Sequence, residues 1–117
     1  MNRIYKPLWK EDRSEMIIVA GAARIRADHR DEAVRLARHM GEQTRREPGC
    51  VTSAYYVALD SPETFFLYQV WESEEALSAH YRQDFVRAFL DRIPDMLDGT
   101  TAVQFLNRYD ADEGTEL

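Results

Sequence analysis

The stretch TFFLYQVWESEEALSAHY, residues 64–81, carries a strand-to-helix transition. Aromatic and β-branched side chains fill residues 64–71, which predicts a strand that ends at Trp71. Ser73 is a good helix N-cap, and the two glutamates that follow it interact favourably with the dipole of the predicted helix. This helix brings His80 about two turns beyond the end of the strand. Trp71 and His80 are therefore the first candidates for a site.

The neighbouring segments complete a β-α-β-β-α-β order. Strands are predicted, from their β-branched and aromatic content, over residues 16–26, 50–60, 64–71 and 101–109. A first helix follows an N-cap at Asp28 and ends before EPGC (47–50), because proline disfavours a helical residue before it. The link SPE (61–63) is too short for a crossover, so the second and third strands pair antiparallel. A second helical segment starts at Asp84, and Pro94 either ends or kinks it.

This order predicts an α+β, ferredoxin-like domain, with a four-stranded antiparallel sheet and helices on one face. Such a sheet should alternate apolar and polar residues. The third strand instead has Phe65 and Leu67 on one face and Phe66 and Tyr68 on the other. Because the helices cover only one face, we predict a homodimer that forms through the open face of the sheet.

Composition limits the classes of function. The 117 residues suit one domain, with a charged N-terminal leader (1–15), the folded part (16–109) and an acidic tail (110–117). The net charge of -6 argues against a nucleic-acid partner, and the longest uncharged apolar run, MIIVAGAA, is too short for a membrane span. A single cysteine, Cys50, and the lack of a secretory signal predict a cytoplasmic protein. The three histidines and this cysteine have no spacing suited to a metal site.

Four segments together resemble the antibiotic biosynthesis monooxygenase (ABM) family over roughly residues 16–109: IIVAGAARIR (17–26), EPGC (47–50), FFLYQVWESEEALSAH (65–80) and FVRAF (85–89). Members of this family are dimeric α+β barrels. They include oxygenases of aromatic polyketides that use no cofactor, quinol monooxygenases, haem-degrading enzymes, isomerases of small sugar metabolites and proteins without a known activity. The resemblance implies a small monooxygenase for a phenolic, anthrone or quinol-type polycyclic (polyketide-like) substrate. It also implies that dioxygen is the co-substrate, that no metal or haem is used and that no cofactor is bound tightly. It leaves open whether reduced flavin is supplied from elsewhere.

The residues that distinguish the branches of the family do not match. Three places that hold Asn, Trp and His in the haem-degrading branch hold Ala22, His80 and Leu90 here. The anthrone-oxidising branch pairs its strand-three Trp with an Asn, and that place is Leu67. The second histidine of many quinol-oxidising relatives is replaced by Phe85. These departures make haem breakdown a poor expectation and leave the oxygenase branches open.

Trp71 and His80, which match the wider family, are the predicted catalytic residues. His80 could act as a base, because the ordinary pKa of histidine lies near neutrality, and Trp71 could donate its indole N–H to a substrate oxygen or stack on the ring. Six further residues are predicted to bind the substrate: Tyr55, Phe65, Leu67, Phe85, Phe89 and Arg92. Arg92 or Arg87 could steady developing negative charge; the arginine of the anthrone-oxidising branch is replaced here by Asp91, which is adjacent to Arg92.

Structural roles are the alternatives: Trp71 as core packing, His80 as a solvated or hydrogen-bonded structural residue, and the tyrosines as packing of the sheet and dimer face. The corresponding function is a non-catalytic dimeric protein that binds small molecules or responds to stress. A dry apolar cavity that contains both Trp71 and His80 would favour the oxygenase.

Overall fold

The computed structural model describes residues 16–99 and the backbone of residues 103–108; the predicted leader and tail lie outside the described residues. The elements are β1 (Ile17–Arg24), α1 (Arg30–Arg45), β2 (Cys50–Ala58), β3 (Ser61–Trp71), α2 (Glu74–Tyr81), α3 (Asp84–Met96) and β4 (Val103–Arg108). The strands pair antiparallel in the order β2-β3-β1-β4. The predicted α+β, ferredoxin-like architecture is confirmed.

Local signals set several element boundaries. The hydroxyl of Ser73 accepts the backbone N–H of Ala76, which confirms Ser73 as the N-cap of α2. The predicted N-cap at Asp28 is wrong: a 3-10 turn (Ala27–His29) precedes α1, and the carboxylate of Asp28 lies 3.4 Å from the guanidinium of Arg26 instead. An arginine two residues away competes for this carboxylate with the N–H groups of the helix.

The segment SPE is not the hairpin connection that the sequence predicts. β3 begins at Ser61, which pairs with Ala58, so the turn is formed by residues 59–60. Pro62 is tolerated in this strand because the pairing of β3 with β1 starts only at Thr64, so the missing N–H of proline removes no bond to β1. Pro94 lies in the last turn of α3, and the helix continues through it to Met96.

Two buried clusters lie along the inner face of the sheet, which is the face that packs against the helices. The Phe65 cluster contains Ile25, Ala33, Ala37, Phe65 and Met96. The Trp71 cluster contains Ile17, Val19, Trp71 and Leu77. The inner face is therefore covered by α1 and α3 near one end of the strands and by α2 near the other.

The outer face of the sheet is also apolar. Tyr56 of β2 and Phe66 of β3 are 54% and 40% exposed, and their ring centroids lie 6.5 Å apart. Tyr56 and Phe66 are paired in the sheet register, next to the Phe66–Ala22 pair. The apolar character of both faces, which the sequence predicts, is present in the structure.

Candidate functional site

A cavity of about 320 Å³ lies between the inner face of the sheet and helices α1 and α3. This volume is at the lower end of the range for small-molecule pockets, roughly 300–1,000 Å³. Its walls are almost entirely apolar. The sheet side includes Gly21, Ala23, Tyr55, Phe65 and Leu67, and the helix side includes Ala33, Ala37, Phe89, Leu90, Ile93 and Met96.

Small side chains create this cavity. The inner positions of β1 are Ile17 and Val19 at the packed end, but Gly21 and Ala23 where the cavity opens. On the opposite wall, α1 presents Ala33 beneath the same space. Because each of these positions lacks the carbons that fill the core elsewhere, the helices and the sheet enclose a space that their own side chains do not occupy.

Tyr55 supplies the only polar side-chain group among the residues that line the cavity in the described part of the chain. Its ring contacts Phe89 edge-on, with 6.2 Å between centroids. Burial raises the pKa of the Tyr55 phenol well above its ordinary value near 10. The phenol is therefore protonated at neutral pH and can donate a hydrogen bond, but it cannot serve as a base.

Trp71 and His80, the two predicted catalytic residues, are not among the residues that line this cavity. Their exposed fractions are 0% and 2%, and their ring centroids lie 4.8 Å apart. The indole N–H of Trp71 donates to the side-chain carbonyl of Gln69 at 2.9 Å. Since an indole has one donor, Trp71 cannot bond a substrate oxygen without breaking this contact.

His80 is held by a partner far away in the sequence. Its Nδ1 lies 2.8 Å from a carboxylate oxygen of Glu47, and both side chains are buried. Gly49, in the same turn as Glu47, has a positive φ of 86°, and a Cβ at this position would lie 2.4 Å from the Cβ of Ala76. The turn after α1 thus packs tightly against α2, and the His80–Glu47 pair fixes this contact.

The six predicted substrate-binding residues divide into two groups. Tyr55, Phe65, Leu67 and Phe89 line the cavity. Phe85 and Arg92 line a separate hollow of about 190 Å³ on the other side of Phe89, between α1 and α3. Their predicted place beside the substrate is not supported by this arrangement.

Arg92 is neutralised by acidic partners. Two of its nitrogens lie 2.7 Å from the two carboxylate oxygens of Glu32, and a third contact reaches Asp95 at 3.2 Å. The Arg92 guanidinium lowers the pKa of Glu32, and Glu32 raises the pKa of Arg92. This pair joins α1 to α3. Its charge is thus already compensated and does not offer a free cation to a substrate.

Two side chains that matter to this region were not predicted. Gln69 is buried among apolar neighbours, where it accepts from Trp71 and lies 3.4 Å from the hydroxyl of Ser53. A signal for it existed, because Gln69 interrupts the apolar series of alternate residues along β3. Glu47 had no comparable signal, since its partner His80 lies 33 positions away.

Neither a metal site nor a membrane helix is found in the described residues. Within residues 16–99, no group of three or more His, Cys, Asp and Glu side chains is arranged to hold a metal ion. None of the described helices is long and apolar enough to cross a bilayer.

The family model for antibiotic biosynthesis monooxygenases matches residues 16–100, which is most of the chain. The chain belongs to this family. The "Uncharacterized protein sll1783" of Synechocystis is 30% identical over 81 residues, which cover 69% of this chain and 55% of that protein. This ABM chain spans about half the length of the curated relatives it matches.

Solved structures share the fold of this ABM protein. A conserved protein from Methanosarcina mazei superposes with a TM-score of 0.76 at 23% identity, covering 83% of this chain and 95% of that one. Rv0793 from Mycobacterium tuberculosis superposes with a TM-score of 0.73 at 21% identity, covering 79% and 92% of the two chains. At these identities the likeness shows the fold alone.

Proposed function

We propose that the protein is an ABM-type monooxygenase that oxidises a phenolic, anthrone or quinol-type polycyclic substrate with dioxygen. The observation that carries this proposal is the cavity, which combines an apolar lining with the single phenol of Tyr55. A flat aromatic ring system suits such walls, and a ring oxygen could accept the hydrogen bond that Tyr55 donates. In this proposal the protein holds no resident metal or haem. One version of the proposal adds reduced flavin that is supplied from elsewhere.

The chemistry needs little from the protein beyond binding. An electron-rich enolate or phenolate can pass one electron to dioxygen and so avoid the spin restriction on their direct reaction. With anthrone, a C–O bond then forms at the ring carbon, and loss of water leaves anthraquinone, so that anthrone and dioxygen become anthraquinone and water. Tyr55 would stabilise the negative charge on the substrate oxygen, and the apolar walls would exclude water from the radical pair.

The proton of the substrate has no acceptor among the side chains that line the cavity in the described residues. We propose that the substrate ionises against water at the cavity mouth, which restricts substrates to those that ionise readily. The catalytic roles predicted for Trp71 and His80 remain predictions. Their buried contacts favour a role in holding α2 and the turn after α1 in place.

Formation of anthraquinone from anthrone tests this proposal. Anthraquinone should be measured by chromatography, with and without reduced flavin. Dioxygen uptake would not report the reaction, because reduced flavin itself consumes dioxygen. Ala33→Leu should abolish the enzymatic rate by filling the cavity, and Tyr55→Phe should lower it about tenfold by removing the donor. Ala88→Leu makes the same change at an exposed position of α3 and should retain activity. An unaltered rate in Ala33→Leu would overturn the assignment of the cavity as the site.

A non-catalytic binding protein is the second candidate. It is favoured by the absence of a base from the described lining and by the enclosure of His80 against Glu47 and Trp71. Binding of anthrone or 2-naphthol that Ala33→Leu removes, without product under either flavin condition, would select this function.

We also propose a homodimer through the outer face of the sheet. The exposed rings of Tyr56 and Phe66 support it, because apolar side chains on a sheet face favour burial against a partner. Tyr56→Glu should shift the protein to monomers in sedimentation experiments. Leu59→Glu, which changes an exposed residue of the hairpin turn, should leave the mass unchanged.

A further inference from the structure

A second hollow, the β2 groove, lies next to the cavity. It has a volume of about 400 Å³ and runs between α1 and the edge strand β2. Ala37, Tyr55 and Phe65 line both the cavity and the β2 groove. The two spaces are therefore neighbours, and Tyr55 and Phe65 lie at their common border.

The β2 groove differs from the cavity in its charged side chains. Arg38, Glu42 and Arg45, all from α1, contribute to its lining. None of these three forms a salt bridge with another described residue. Within residues 16–99 the groove thus has two arginines against one glutamate, in a chain with 15 basic and 21 acidic residues.

Arg45 is fixed in the groove by a neutral partner. Its Nη1 donates to the backbone carbonyl of Ser53 at 2.9 Å. Gly41, one turn earlier in α1, leaves room for it, because a Cβ on Gly41 would lie 3.0 Å from the same Nη1. A glycine inside a helix costs about 1 kcal/mol relative to alanine, and here its missing side chain is what lets the guanidinium lie over the helix.

A carbonyl orients the guanidinium of Arg45 without cancelling its charge. Four of its five N–H donors are not used by the bond to Ser53, and carboxylate or phosphate oxygens are the acceptors that fit them best. Arg92 shows the contrasting case, since Glu32 and Asp95 already occupy its donors. Arg30 is likewise held by a backbone carbonyl, that of Pro62, but Arg45 is the one of the two that lines the β2 groove.

We infer that the ligand of this protein carries an anionic substituent, with its ring in the cavity and its carboxylate in the β2 groove against Arg45 and Arg38. This inference rests on the proposed function, because it assigns the ring to the same cavity. A hydroxylated polycyclic carboxylic acid meets both requirements. The carboxylate of such a ligand would leave the ring at the border of the two spaces, which Tyr55 and Phe65 line.

The test compares 2-naphthol with 6-hydroxy-2-naphthoate, which differ by one carboxylate, in titration calorimetry at low salt. The carboxylate should bind about tenfold more tightly to the wild-type protein, which is the scale of hydrogen bonds to a charged group at a partly exposed site. Raising the salt concentration should reduce this ratio. The methyl ester of the acid, which has a similar size without the charge, should bind like 2-naphthol.

Arg45→Gln should remove most of the preference for the carboxylate and leave the affinity for 2-naphthol unchanged. Arg35→Gln is the matched control, because it removes the same charge from an exposed position of α1 that does not line the groove. If Arg45→Gln and Arg35→Gln lost the preference for the carboxylate equally, only the overall charge would matter, and the inference would be overturned.

The ligands also separate this inference from the proposed function. Equal affinities for 2-naphthol and 6-hydroxy-2-naphthoate, both abolished by Ala33→Leu, would overturn the anionic substituent and leave the cavity as the site. If neither compound binds, the cavity assignment and the inference both fail. A preference for the carboxylate that survives Arg45→Gln but is lost in Ala33→Leu would place the anion elsewhere than against Arg45.

Discussion

Replacing Ala33 with leucine adds roughly three carbon groups to the wall of the cavity. Each buried methylene contributes about 0.8 kcal/mol, so complete burial would stabilise the fold by about 2.4 kcal/mol. Ordering the leucine side chain costs about 0.5 to 1 kcal/mol of rotamer entropy. Because the cavity of about 320 Å³ can accept these carbons without displacing its walls, we expect a net gain of about 1.5 kcal/mol in the free energy of unfolding.

Thermal unfolding measures this gain. For a domain of this size it corresponds to a rise of roughly 6 °C in the melting temperature. Ala88→Leu, the exposed control on α3, should change the free energy of unfolding by less than about 0.5 kcal/mol. A stabilised variant that no longer binds 2-naphthol would show that the cavity exists and that the ligand occupies it. A fall of several degrees in Ala33→Leu would refute the reasoning, because overpacking of a filled core is what destabilises by about 1–3 kcal/mol.

Three further predictions concern the frame of the site. Gly49→Ala should lower the free energy of unfolding by about 3 kcal/mol. Gly99 has a similar positive φ, but a Cβ there would meet no atom within 4 Å, so Gly99→Ala should lower it by about 1 kcal/mol. Equal losses in urea unfolding would show that the tight contact at Gly49 is absent. Glu47→Ala should lower the free energy of unfolding by about 3 kcal/mol, because it leaves the buried His80 without its partner. In a double-mutant cycle between Glu47 and His80, losses of stability that simply add would contradict the pair. Burial raises the pKa of Tyr55, so the native state keeps this proton at a pH where the unfolded chain loses it. The wild type should therefore lose stability more steeply than Tyr55→Phe as the pH rises above about 10, and parallel denaturation curves would indicate an exposed phenol.

The sequence was sufficient for the features that local patterns determine. The strand ending at Trp71, the cap at Ser73 and the apolar outer face all follow from residue types a few positions apart. The orientation of His80 does not, because it depends on where α2 packs against a turn formed about thirty residues earlier. Its Nδ1 lies against Glu47 and its ring lies against that of Trp71, away from the residues that line the cavity.

The small residues that give the cavity its volume were missed for a related physical reason. Sequence reasoning looks for side chains that can do chemistry, whereas a cavity is produced by positions where side chains are small. Gly21 and Ala23 in β1 read as an ordinary apolar strand, and only their register against β3 shows that no bulk compensates for them. The sequence also could not show which arginines have acidic partners. Arg92 is neutralised by Glu32 on another helix, whereas Arg45 is held by a carbonyl of β2.

The inner face of the sheet therefore has two structural roles: it packs against α2 at one end and forms a wall of the cavity at the other. Along it, β1 contributes Ile17 and Val19 at the packed end, paired with Trp71 and Gln69, and only Gly21 and Ala23 where the cavity opens, paired with Leu67 and Phe65. At the packed end, the bonds of Trp71 and His80 to Gln69 and Glu47 satisfy buried polar groups and fix α2 to the turn after α1. A binding site needs such a rigid frame around the space it leaves empty. The most conspicuous motif of the sequence thus supports the site from one end, while glycine and alanine residues give the cavity its volume.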